Sequence, residues 1–86
     1  SLESQDKRFK AYHELIKILV EPEPSRIHPK LDRQVAVVYE MRNFPEYFEL
    51  SLRILKSWRD TFKKEKVEYG RLYEEMNLTI HFIENK

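Results

Sequence analysis

A single glycine, Gly70, stands against four prolines in these 86 residues, and that imbalance constrains the fold more than any other feature. Tight hairpins and phosphate-cradling loops need positive-φ positions, which glycine adopts at least steric cost. A sheet-rich fold and a glycine-rich phosphate loop are therefore both disfavoured. The prolines mark two breaks: Pro22, Pro24 and Pro29 fall in one stretch, and Pro45 precedes a strongly apolar run.

Between the breaks the apolar residues recur at helical spacing. Asp6 is placed to cap a helix over 6–20 whose stripe is Phe9, Tyr12, Leu15, Ile16 and Leu19. The segment Glu21-Pro22-Glu23-Pro24-Ser25 lacks amide donors and disfavours the α region, so it reads as a loop. From Pro29 or Lys30 to Arg42, Leu31, Val35, Val38 and Met41 predict a second helix, although the valines also suit a strand. Asn43-Phe44-Pro45-Glu46 reads as a cap, a first-turn proline and an acid facing the helix dipole. The third helix that starts there carries Phe48, Leu52, Leu55 and Phe62, widened by Leu50, Ile54 and Trp58.

The stripe resumes at Tyr69, Leu72, Tyr73, Met76, Ile80 and Ile83 with no glycine or proline at Lys63-Lys64-Glu65-Lys66. Near-heptad spacing from Phe48 to Ile83 would allow one rod of about 40 residues, roughly 60 Å long, which exceeds a domain of this size. A turn near 63–66 is therefore expected. The expected fold is all-α, a bundle of about four helices forming one domain over 1–86. The alternative is α+β, because Leu78, Ile80 and Phe82 alternate as in a strand and could pair with 34–41.

Charge removes one class of partner. Sixteen Lys and Arg against fifteen Asp and Glu give a formal charge of +1, without the long-range field of a dedicated nucleic-acid binder. At 41% hydrophobic and 36% charged the composition is that of a globular chain. The absence of Cys excludes disulfides, thiolate metal sites and a cysteine nucleophile, and fits a reducing compartment. No apolar run approaches the roughly 20 residues that cross a bilayer, and the polar, acidic amino terminus is unlike a signal peptide. The chain reads as an excised intracellular domain, nuclear or cytoplasmic.

Catalytic constellations are missing from the pattern. His13, His28 and His81 lie on three different segments outside any HExxH spacing, so they read as surface or boundary histidines. Ser1, Ser4, Ser25, Ser51 and Ser57 occur in no nucleophile elbow, and Ser51 reads as a small packing residue. The acid pairs Glu74-Glu75 and Glu21 with Glu23 read as solvated charge. The expectation is no enzyme activity, no cofactor and no metal. Asn77-Leu78-Thr79 fits a glycosylation acceptor by chance. The basic cluster Arg53, Lys56, Arg59, Lys63, Lys64 and Lys66 reads first as a solvated helical face.

Two aromatics remain, Phe44 and Tyr47 beside Pro45, which the core stripe does not require to face inward. Exposed, they would anchor a partner peptide. Alternatively, Phe44 is a hydrophobic staple on the helix that follows.

The runs Val35-Ala36-Val37-Val38-Tyr39-Glu40-Met41-Arg42-Asn43 and Leu50-Ser51-Leu52-Arg53-Ile54-Leu55-Lys56-Ser57-Trp58-Arg59 resemble a known family. It is the amino-terminal domain of transcription elongation factor S-II, or LW domain, found also in elongin A, a Mediator subunit and the integrase-binding domain of LEDGF. Ser51, Ile54, Leu55 and Trp58 match its small residue, two aliphatics and tryptophan, and the similarity covers roughly residues 12 to 62. The resemblance implies an all-helical, non-catalytic bundle that binds short, disordered segments of transcription and chromatin proteins. Arg42-Asn43-Phe44 is similar to the Arg-Arg-Phe run of the integrase-binding domain, whose Phe holds partner peptides. Two departures stand out: the helical segments expected before Leu31 are compressed into the proline stretch, and 66–86 extend past the family's usual end.

The functional expectation is a peptide-binding module, monomeric or dimeric, with Arg42, Phe44 and Tyr47 as partner-binding residues. The alternatives are a dimerisation element through the 48–83 heptads and weak nucleic-acid binding through the basic face 53–66.

Overall fold

Ser1, not Asp6, starts the first helix. The computed structural model of the chain describes residues 1–21, 29–63 and 66–86, with the backbone alone at Pro29 and over 66–69. Helix α1 spans Leu2–Val20, and the Ser1 hydroxyl caps it by accepting from the Ser4 amide at 3.1 Å. Asp6 sits within the helix, where it pairs with Lys10 one turn later at 3.1 Å. The expected start at Asp6 is thus corrected: both residues are competent caps, and Ser1 adds a turn.

Helix α2 spans Pro29–Glu40 and tightens into a 3-10 turn at Met41–Asn43. A second 3-10 turn at Pro45–Tyr47 leads into α3, Phe48–Phe62, and α4 spans Lys66–Glu84. Asn43 does not cap the third helix; Phe44 and Pro45 interpose a turn instead. The chain is an all-α bundle of four helices, and no strand occurs among the described residues. The rod alternative fails, since α3 and α4 are separate helices and the molecule's longest dimension is 43 Å. The proline stretch 22–28 and its loop expectation lie outside the described residues.

The strand alternative is also overturned, in an instructive way. Segments 34–41 and 77–83 do meet, but as helices. Thr79 of α4 donates its hydroxyl to the Val38 carbonyl at 3.3 Å, satisfying one of the acceptors that the end of α2 leaves open. Asp32 and Arg71 pair at 2.7 Å at the other end, so α2 and α4 run side by side in the same direction. Alternation at Leu78, Ile80 and Phe82 reflects two helical faces: Ile80 is buried, whereas Leu78 points away from the core.

One apolar interior joins the helices. It takes Leu19 from α1, Val37 and Val38 from α2, Met41 from the turn, Leu55 from α3, and Leu72, Met76, Ile80 and Ile83 from α4. Each such side chain contributes about 1.5–3 kcal/mol by leaving water, so α4, with four of them, is the element most tightly bound to the rest. Helix α1 lies antiparallel to α2: Gln34 donates to the Leu19 carbonyl at 3.0 Å, while Arg8 reaches the Asn43 carbonyl at 2.8 Å. Phe48 at the start of α3 meets Phe82 near the end of α4 edge-on, with ring centroids 6.4 Å apart, closing a helical hairpin.

Gly70 lies inside α4, not in a turn, and no glycine has positive φ. A methyl group there would meet nothing within 4 Å. Gly70→Ala should therefore stabilise the bundle by about 0.5–1 kcal/mol through the lower entropy of the unfolded chain. Thermal unfolding checks this; a lower melting temperature would show that space or backbone freedom at position 70 is needed.

Candidate interaction site

The three expected partner-binding residues sit on one short connection, yet they contact different helices. Phe44 and Tyr47 turn toward α1. Tyr12 stacks on Tyr47 with centroids 4.4 Å apart and meets Phe44 at 5.7 Å. Above Phe44 lies the Arg8 guanidinium, 4.8 Å from the ring centre, held there by the Glu46 carboxylate and the Asn43 carbonyl. Phe44 is only 7% exposed. The expectation of a free Phe44 is corrected, because α1 returns over the turn and seals the ring. Its ring partners Tyr12 and Arg8 both come from α1.

Polar groups at this corner serve the packing. The Tyr12 hydroxyl and Ser51 share a 2.7 Å hydrogen bond in the interior, which explains why position 51 is small and polar. Burial pushes the Tyr12 hydroxyl above its ordinary value of 10.0, with Ser51 opposing, so it stays protonated at neutral pH. Hydrogen bonding from Arg8 holds the Glu46 carboxyl below the usual 4.5, keeping the clamp charged.

Arg42 turns the other way, toward α4. Its Nε donates to Thr79 Oγ1 at 3.1 Å and its Nη2 to Glu75 Oε2 at 2.8 Å. The same guanidinium lies 4.5 Å from the Tyr39 ring centre and 5.4 Å from that of Phe82, while Lys86 Nζ sits 4.5 Å over Phe82. Tyr39 is 53% exposed, and Leu78, one helical turn before Phe82, is 54% exposed. An exposed phenol and a half-buried phenyl ring thus flank an arginine fixed by two hydrogen bonds, with the exposed aliphatic Leu78 farther along α4. Sequence reasoning found Arg42 and missed Tyr39, Glu75, Leu78 and Phe82. The available signal was the helical phase of α4: Leu78 falls nearly opposite Met76 and Ile80, so it cannot share their core stripe.

The remaining features fall into place as packing. In the basic cluster Arg53 pairs with Glu49 at 3.4 Å, Lys56 with Glu84 at 2.8 Å and Arg59 with Asp60 at 3.7 Å. The hydrogen bond from Lys56 keeps Glu84 below the ordinary carboxyl value. The side chains of Lys64 and Lys66 lie outside the described residues, as do His28 and the Tyr69 side chain. His13 stacks on Phe9 at 5.8 Å, and His81 is exposed beside Asn85. Among the described residues no group of three or more His, Asp or Glu is placed to hold a metal ion. Thr79 of the Asn77-Leu78-Thr79 triplet is fully buried in α4, and Asn77 is half-buried there. No helix among the described residues is long and apolar enough to cross a membrane.

The chain matches no protein-family model, no curated protein and no solved structure.

Proposed function

We propose that this helical bundle is a non-catalytic interaction module that binds a short peptide segment of a partner protein. The observation that carries the reading is the Arg42 guanidinium held between exposed Tyr39 and half-buried Phe82, with exposed Leu78 one turn before Phe82 on α4. Tyrosine and arginine are the residue types that dominate binding energy at interfaces, and here the arginine is already ordered, which lowers the entropy lost on binding. The cluster adjoins the Arg42-Asn43-Phe44 run that carries the resemblance to the LW domain, and that resemblance favours a partner in transcription or chromatin regulation and a nuclear or cytoplasmic module. Phe44 and Tyr47, which face α1, then lie apart from this surface, and Arg42 alone of the three expected residues touches the partner directly.

Leu78→Glu tests this cleanly. Leu78 is a solvent-facing position, so stability should change by no more than about 0.5 kcal/mol. Affinity capture with the wild type and the variant in parallel, read by mass spectrometry, should show specific partners lost from the variant. Equal capture by both proteins would remove this surface from the function.

A further inference from the structure

We propose that the outer edge of α1 pairs with the same edge of a second copy of this chain, the two helices lying antiparallel. Leu2, Phe9, His13, Ile16 and Val20 follow one another at spacings of seven, four, three and four, and so form one stripe beside the buried stripe of Tyr12 and Leu19. Leu2 is 85% exposed, Phe9 52% and Val20 51%, an unusual run of large apolar surface along a single helix.

The order of residues selects the occupant. The stripe is nearly palindromic about Ala11: Leu2 and Val20 lie nine residues to either side, Phe9 and His13 two. An antiparallel two-fold pairing therefore sets Leu2 on Val20 of the second copy and brings both stacked Phe9–His13 pairs together at the centre. Charge favours the same arrangement. On the polar border of the stripe, Asp6 comes five residues before Ala11 and Lys17 six after, so each acid faces the other copy's base. A net charge of +1 adds little mutual repulsion between copies.

Five side chains on a 19-residue helix, with Ile16 partly buried against the core, make a small interface, so the dimer is weak and concentration-dependent.

Sedimentation equilibrium on the full chain, over a concentration series reaching about 1 mM, tests the pairing. The mass should rise from 10.6 kDa toward twice that value. Phe9→Asp should hold the monomer mass with an unchanged helical circular dichroism spectrum. Asp6→Lys should weaken association about fivefold, and Asp6→Lys combined with Lys17→Asp should restore it. The combined variant also decides the matter should Phe9→Asp fail to fold. A constant monomer mass, dimers that survive Phe9→Asp, or a double variant no better than Asp6→Lys alone would each overturn the proposal.

Discussion

Phe44→Ala is expected to lower the melting temperature by about 15 °C or more, close to the limit at which so small a bundle stays folded. The ring is 7% exposed, with Tyr12 on one side and the Arg8 guanidinium 4.8 Å away on another. Truncation removes its buried apolar area and leaves a cavity, which together cost about 3–5 kcal/mol for phenylalanine in a core. It also releases Arg8, whose cation–aromatic contact helps dock the first half of α1. Urea titration should show an earlier midpoint with an unchanged slope, and Phe44→Leu should retain much of the loss. A melting temperature within two or so degrees of wild type would return Phe44 to the surface, where sequence reasoning first put it.

Arg42→Ala is the second large effect, expected at about 2–3 kcal/mol. Its pair with Glu75 is largely shielded, the two side chains being 20% and 17% exposed, so solvent screens it little. Removing the guanidinium strips Glu75 and Thr79 of a donor and unstacks Tyr39 and Phe82 from a common cation. Glu75→Gln should cost less, because the amide oxygen still accepts from Arg42. A double-mutant cycle over Arg42 and Glu75 isolates their coupling, and a coupling near zero would mean that Arg42 acts through the rings alone.

Local information made much of the architecture legible. Leu50, expected to widen the α3 stripe, is 40% exposed, but the inward face of Phe48, Leu52, Ile54, Leu55, Trp58 and Phe62 follows from spacing alone. So does the all-helical outcome, because the only glycine is unavailable for turns and ends up inside α4. Contacts between residues distant in sequence were not legible. Whether Phe44 faces solvent depends on Arg8 and Tyr12, more than thirty positions earlier, returning over it. Segment 34–41 left helix and strand both open to a local reading, because its valines suit either. The charged pair Arg42–Glu75 spans 33 positions, so the fixed arginine at the candidate site had no local signature beyond its neighbours.

In the proposed function Phe44 holds the bundle together while the Tyr39–Leu78–Phe82 face meets the partner. The most direct test of this is the amide chemical-shift map of the isotope-labelled protein titrated with a segment of a captured partner. The account predicts saturable shifts around Tyr39, Arg42, Glu75, Leu78 and Phe82, with Arg8, Tyr12 and Tyr47 unmoved. Shifts centred instead on Arg8, Phe44 and Tyr47, with the α4 face silent, would contradict it.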